Sequence, residues 1–133
     1  MNKKKTEDLT KKQIAEKERI DKIESFYKKW FSDNPDRKIF NKCLNDYICV
    51  NSLSKNESKQ WGKISDQNTN LILKLSDILK KATIIKINIA PKSQKAKKNF
   101  DSFIQMDYKN KAKLMVGVRS SGAKVQYSIT KIK

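Results

Sequence analysis

The residue types that this chain lacks exclude several kinds of catalytic and metal site. None of its 133 residues is histidine, so the sequence excludes a Ser-His-Asp triad, a Cys-His pair and any histidine metal ligand. The three glycines form neither a Walker loop nor a dinucleotide-binding loop. Cys43 and Cys49 match no zinc motif, and because no secretory signal precedes them we expect free thiols in preference to a disulfide. We therefore expect no metal and no cofactor.

Cleavage of RNA is one reaction that needs no histidine. The 2′-hydroxyl is an internal nucleophile, so a protein has only to stabilise the charge on the phosphate and to move two protons. Glu57 is a candidate base, although its spacing from Ser54 favours a role in helix capping. A strand face with cations and hydroxyls could also bind RNA without cutting it. The candidate residues on that face are Lys113, Arg119, Lys124, Ser128 and Thr130.

Charge divides the chain into two unequal parts. Residues 1–79 carry 17 basic and 12 acidic side chains, whereas residues 80–133 carry 14 basic and two acidic ones, within a net charge of +17. A polyanion offsets the self-repulsion of such a segment, and nucleic-acid phosphates are the commonest polyanion. A general bias toward lysine is the alternative, but it does not account for the missing acids. The lysines expected to bind nucleic acid are Lys86, Lys92, Lys95, Lys97 and Lys98.

Helical patterns dominate the first part of the chain. Residues 1–10 are typical of a flexible basic arm, and Thr10 with Gln13 has the capping-box spacing that begins a helix near Lys11. Bulky residues predict a short strand over residues 47–51. After a second capping box at Ser54 and Glu57, apolar residues up to Ala82 recur at steps of three and four. They predict one continuous helix of about 27 residues.

Strand patterns follow from residue 84, where apolar residues alternate with polar ones. A three-residue loop at 109–111 would place Met106 opposite Leu114, and a two-residue turn at 121–122 would place Val118 opposite Val125. One face of the sheet is then apolar and covered by helix, and the other is basic and open. The sequence predicts an α+β fold, with an N-terminal helix and one long helix packed on a C-terminal antiparallel sheet of about four strands. Residues 11–133 would form a single domain.

We predict the cellular location of the protein from two kinds of segment, membrane-spanning and secretory. No apolar run approaches 18 residues, so we expect no membrane association. The basic start, MNKKKTEDLTKK, is not followed by the apolar stretch of a secretory signal. We therefore expect a cytoplasmic protein.

A family resemblance covers residues 37–132. The segments that carry it are RKIFNKCLNDYICVN, LSDILKKAT, FIQMDY, KLMVGVR and VQYSITKI. In this pattern the chain resembles the phage- and mobile-element-associated nuclease-like domains of the barnase/EndoU/colicin/RelE superfamily. The resemblance implies an α+β fold and a ribonuclease or toxin activity at the open sheet face, with an antitoxin or immunity protein as a partner. It would carry over Arg119, Ser128 and Thr130 as site residues.

Three functions are compatible with these observations. The first is a metal-independent, toxin-like endoribonuclease, and the second is a nucleic-acid-binding protein without catalysis, in both cases with RNA as the expected partner. The third is a phage or mobile-element protein that binds an acidic host protein by charge and shape. Absence of RNA affinity at low salt would exclude the first two. Intact RNA after a long incubation would exclude the first.

Overall fold

The N-terminal helix begins where its capping box predicts. In the computed structural model, which describes residues 10–132, helix α1 spans Lys11–Asp33. The Gln13 amide donates to the Thr10 hydroxyl at 3.1 Å, and the Thr10 amide donates to the Gln13 side chain at 2.9 Å. The helix ends two residues before Pro35. The predicted flexible arm falls almost entirely on residues 1–9, which lie outside the described residues.

A β-hairpin follows α1 and supplies two strands. Strand β1 spans Lys38–Asn41 and strand β2 spans Asp46–Cys49, paired antiparallel. The strand predicted at 47–51 therefore begins one residue earlier and ends two residues earlier. It ends early because the Asn51 side chain accepts the Ser54 amide and caps the next helix. Its partner strand, β1, was not predicted because four residues are too few for a clear alternation.

The prediction of one continuous helix after residue 54 is wrong. Three short helices occupy this region: α2 at Ser52–Gly62, α3 at Asp66–Ile72 and α4 at Leu75–Lys81. The chain turns after Gly62, and the Ser65 side chain then accepts the Asn68 amide at 3.1 Å and caps α3. The Thr69 hydroxyl fixes this corner by donating to the Gly62 carbonyl at 2.7 Å. Within the apolar stripe, Leu71, Leu75, Ile78 and Ala82 are nevertheless buried in one core, whereas Trp61 and Ile64 are exposed.

The sheet has six strands and is not purely antiparallel, so the prediction of about four antiparallel strands is wrong in these two respects. The remaining strands are β3 at Thr83–Ile89, β4 at Ser102–Tyr108, β5 at Ala112–Val118 and β6 at Lys124–Lys131. A short helix, α5, spans Gln94–Asn99 and carries Lys95, Lys97 and Lys98. The strand order is β1-β2-β6-β5-β4-β3, and β2 runs parallel to β6. The α+β fold with a long N-terminal helix on the sheet is confirmed.

Strand register is as predicted in one hairpin and different in the next. The three-residue loop at 109–111 is confirmed, with Met106 opposite Leu114. In the last hairpin Val118 lies opposite Lys124 and not Val125, because the turn is not the predicted two-residue one and Gly122 takes a φ of +91°. A β-bulge at Tyr127 then restores the predicted register beyond it, so that Leu114 lies opposite Ile129.

Two apolar cores lie on opposite faces of the sheet. The main core joins the helices to one face and includes Ile23, Tyr27, Leu75 and Leu114. The second core covers part of the other face and consists of Ala96 of α5 with Phe100, Phe103 and Val125. The expectation of a wholly open basic face is therefore wrong, because α5 and the Phe100 ring lie over its middle. No helix within residues 10–132 is long and apolar enough to cross a bilayer.

Candidate nucleic-acid interface

A groove of about 360 Å³ lies beside the second core, on the face of the sheet that turns away from the main core. Its walls are formed by Trp61 at the end of α2 and by the segment from Ile89 to Ala96. Its floor comes from side chains of β4, β5 and β6. The floor residues are Phe103, Gln105, Lys113, Met115, Tyr127, Ser128 and Thr130.

The bulge in β6 determines which side chains reach this groove. Ser128 lies opposite Met115 and Gln126 lies opposite Val116, so Tyr127 is the extra residue between two paired positions. Tyr127 and Ser128 therefore both face the groove, although they are consecutive. Gln126 turns into the main core, where its side chain accepts a hydrogen bond from the Tyr27 hydroxyl at 3.0 Å. Burial raises the pKa of Tyr27, so this hydroxyl stays protonated and can donate.

Aromatic rings form one side of the groove. The Tyr127 ring contacts Phe103 with centroids 5.0 Å apart and Phe100 with centroids 5.8 Å apart. These contacts fix the orientation of the Tyr127 ring while leaving it half-buried at the groove surface. Trp61 on the opposite wall is 41% exposed. The groove therefore presents two aromatic side chains to a ligand.

The structure brings together three of the five residues predicted to be catalytic. Lys113 and Thr130 are directly opposite across β5 and β6, and Ser128 is two positions along β6 on the same face. Arg119 lies just beyond the other end of β5, with its guanidinium 6.0 Å from the centre of the Phe100 ring. It does not line the groove.

Lys124 lies on the other face of the sheet from the groove. It pairs with Val118, whose side chain packs against the main core, because the bulge reverses the predicted parity. The Lys124 ammonium is 2.7 Å from the Asp46 carboxylate and is the main reason that the pKa of Asp46 is lowered. This ion pair gives Lys124 a structural role at the β2–β6 junction.

The five predicted nucleic-acid-binding lysines fall into two groups. Lys92 lines the groove, Lys86 is opposite the groove residue Gln105, and Lys97 and Lys98 line an open concavity of about 590 Å³ on α5. These four, like Lys113, make no ion pair with any residue from 10 to 132. Lys95 differs because its ammonium is 2.5 Å from the Glu57 carboxylate. We call Lys86, Lys92, Lys97, Lys98 and Lys113 the free lysines.

Glu57 lies behind the groove and does not line it. It is only 9% exposed and is not a helix cap, since Asn51 and Ser54 cap α2. Its hydrogen bond raises the pKa of Lys95. The pKa of Tyr127 is raised mainly by burial and further by the negative charge of Glu57, which keeps the Tyr127 hydroxyl protonated.

No pattern in the sequence indicated that Tyr127 and Trp61 lie in a groove. Strict alternation along β6 would place Tyr127 on the same face as Ile129, and the bulge instead places it in the groove. Trp61 matched the apolar stripe of a long helix, whereas it stands at the end of α2 where the chain turns. No local sequence rule locates a bulge that is fixed by Gln126 bonding to Tyr27 and Ser58.

The chemistry of the groove is that of binding by charge, stacking and hydrogen bonds. Its cations are Lys92 and Lys113, its hydrogen-bonding groups include Gln105 and Thr130, and the residues that line it, all within 10–132, include no acid. Among the described residues no group of cysteines and carboxylates is arranged to hold a metal ion. Comparison of the chain with protein-family models, with curated proteins and with solved structures finds no match.

Proposed function

We propose that this groove binds single-stranded nucleic acid, and RNA in preference to DNA. The observation that carries the proposal is the presence of lysines without an acidic partner and aromatic rings in one groove, among residues 10–132. Proteins that bind single strands combine these two features, because the cations follow the phosphates and the rings stack on the bases. In this arrangement Lys92 and Lys113 contact phosphates, and Tyr127 and Trp61 stack on bases.

The polar floor of the groove supports RNA as the preferred ligand. Gln105 and Thr130 are partly exposed there, and each can donate to and accept from a 2′-hydroxyl. The 2′-hydroxyl is the group by which a protein distinguishes RNA from DNA at a given position. We therefore expect a single strand of DNA to bind at the same place but more weakly.

The geometry favours binding over cleavage. Lys113, Ser128 and Thr130 share the groove, but none carries a carboxylate or imidazole that accepts a proton at neutral pH. Glu57 is a buried carboxylate behind the groove, and it is held by Lys95 and does not line the groove. A metal-independent, toxin-like endoribonuclease therefore remains the alternative, and it would need a proton acceptor, such as Glu57 released from Lys95, to reach the groove.

Binding of labelled single-stranded RNA, followed by fluorescence anisotropy at low salt, tests the proposal. We expect affinity in the order single-stranded RNA, single-stranded DNA, duplex RNA, with a strong decrease as salt rises. Absence of binding at low salt would overturn the proposal. Equal affinity for RNA and DNA would overturn the preference for RNA alone.

Two additions to this experiment address the alternatives. Incubation of the labelled RNA with the protein, in EDTA and separately in Mg²⁺, should leave the strand intact, and fragments would establish the endoribonuclease. Polyglutamate serves as a probe for the third function, in which the basic surface binds an acidic host protein. If polyglutamate displaces RNA at an equal concentration of charge, the acidic protein becomes the better explanation of the free lysines.

A further inference from the structure

The β1–β2 hairpin exposes two aromatic rings that contact each other. Phe40 and Tyr47 are directly opposite across the two strands, with ring centroids 5.3 Å apart and the planes at 75°. They are 43% and 45% exposed. Their strand neighbours Ile39 and Ile48 point the other way and pack in the main core. Because side chains alternate along a strand, both rings point away from the main core and are exposed.

The surroundings of this pair are basic. The Lys38 ammonium is 4.5 Å from the centre of the Tyr47 ring, and Lys42 follows Phe40 by two residues. Residues 38–45, from the start of β1 to the residue before β2, contain two cations and no acid. The nearby Asp46 does not offset them, because its carboxylate is bonded to Lys124. An exposed aromatic pair beside cations attracts a flat, anionic ligand.

The pair lies on the same face of the sheet as the groove. Cys49 is two residues from Tyr47 on β2 and pairs with Val125 of β6, and both pack in the second core. The aromatic pair and the groove thus flank the second core on one face. The strand order places β1 three strands from β5, which is roughly 15 Å at the usual strand spacing.

We propose that Phe40 and Tyr47 form a second stacking site, which holds a base of the same single strand that occupies the groove. The proposal rests on the function proposed above. The free lysines Lys97 and Lys98 of α5, which covers the second core between the two sites, contact the phosphates that cross it. A second copy of the chain is a poor occupant of the hairpin, because pairing through this edge would bring Lys38 and Lys42 of two copies together.

Oligonucleotide length separates this site from the groove. We would compare labelled uridine RNAs of about 4 and about 12 nucleotides, the span of site sizes known for single-strand binders. The variant Phe40→Leu/Tyr47→Leu should bind the long RNA about 10-fold more weakly than wild type and the short RNA equally well. Tyr127→Leu should weaken both. Thermal unfolding of each variant provides the check on folding.

A fluorescent base reports stacking directly and gives a readout that is separate from affinity. 2-Aminopurine at each end of the long RNA in turn should be quenched on binding to wild type, and at one end the quenching should disappear with Phe40→Leu/Tyr47→Leu. If the long RNA binds, but Phe40→Leu/Tyr47→Leu leaves the quenching at both ends unchanged or keeps full affinity, the second site is overturned and the groove proposal stands. If neither RNA binds wild type at low salt, the proposed function itself fails.

Discussion

The helical side of this protein and its groove side differ in how many of their basic side chains are paired with acids. Six of the eleven basic residues in α1 to α4 make an ion pair within residues 10–132, and Glu24 alone binds both Lys55 and Lys59 at 2.8 Å. On the groove side the free lysines make no ion pair among residues 10–132, although Asp107 of β4 lies directly opposite Lys113. No acid occurs between Asp77 and Asp101 in the sequence. The net charge is therefore a poor guide to function by itself. What distinguishes the two sides is the share of cations that already have a counter-charge.

The two faces also differ in what their apolar residues do, and the largest expected effect tests this. Leu114 and Met115 are neighbours on β5, but Leu114 is fully buried in the main core and Met115 lies in the groove floor. We expect Leu114→Ala to lower the free energy of unfolding by about 2–5 kcal/mol, and Met115→Ala by about 1 kcal/mol. Denaturant unfolding measures both. Equal losses would show that the groove floor is as much part of the stabilising core as the main core is.

Removal of charge should separate the two sides by affinity. The pair Lys92→Gln/Lys113→Gln and the pair Lys17→Gln/Lys29→Gln remove the same formal charge, but Lys17 and Lys29 are on α1 and bound to Asp21 and Asp33. We expect the first pair to weaken binding of single-stranded RNA about 10-fold, and the second less than about 3-fold. Anisotropy at one fixed salt concentration gives the ratio. Similar losses would mean that RNA responds to net charge alone.

Stacking should contribute less than charge and should depend on the ring of Tyr127 and not on its hydroxyl. Tyr127→Leu removes the ring from the groove, whereas Tyr127→Phe keeps it against Phe103. We expect Tyr127→Leu to weaken RNA binding by about 1 kcal/mol, and Tyr127→Phe to retain most of the affinity. A decrease in affinity with Tyr127→Phe as large as with Tyr127→Leu would assign the effect to the hydroxyl and its setting beside Glu57.

The smallest expected effect is the pH dependence of the ion pairs on the helical side. Hydrogen bonds from Lys55 and Lys59 lower the pKa of Glu24 from 4.5 to about 2. Because the folded state holds the carboxylate ionised, this contribution is complete above pH 4.5 and disappears as the pH falls from there toward about 2. Glu24 is 45% exposed, so solvent screening limits the contribution to under about 1 kcal/mol.

The variant Glu24→Gln should remove that part of the acid dependence. Urea unfolding at several pH values between neutral and about 2.5 measures it for wild type and the variant. Glu16→Gln is the matched control on the same helix, since Glu16 makes no ion pair with residues 10–132. An acid profile of Glu24→Gln that coincides with that of wild type would show that the ion pairs with Lys55 and Lys59 do not stabilise the fold.

Local rules predicted those parts of the fold that local interactions decide. The start of α1 depends on hydrogen bonds between Thr10 and Gln13, and the loop at 109–111 depends on matching the apolar faces of β4 and β5. The break after Gly62 combines the local Ser65 cap with a contact distant in sequence. A Cβ at Gly62 would lie 2.3 Å from a methyl group of Ile23 in α1. The spacing of residue types in the sequence does not indicate this close approach.

The residues of the candidate site also divide into those that local rules place correctly and those that they do not. Lys113 and Thr130 could be placed together from the sequence because they lie on the part of the hairpin beyond the bulge, where the predicted register holds. Lys124 and Tyr127 were assigned to the wrong faces, because the bulge is set by Gln126 bonding to Tyr27 and Ser58. The scarcity of acidic residues after residue 79 indicated the free lysines in the sequence. Lys95 is not a free lysine, because it is paired with Glu57, which is 38 residues away in the sequence.

The salt dependence of RNA binding tests the central claim most directly, namely that the free lysines of the groove contact the phosphates of a single strand. The logarithm of the association constant falls linearly with the logarithm of salt concentration, with a slope of about 0.7 for each phosphate of a single strand that the protein neutralises. The account predicts that wild type and Lys17→Gln/Lys29→Gln share one slope, and that the slope of Lys92→Gln/Lys113→Gln is shallower by about 1.4. One common slope for all three proteins would contradict it.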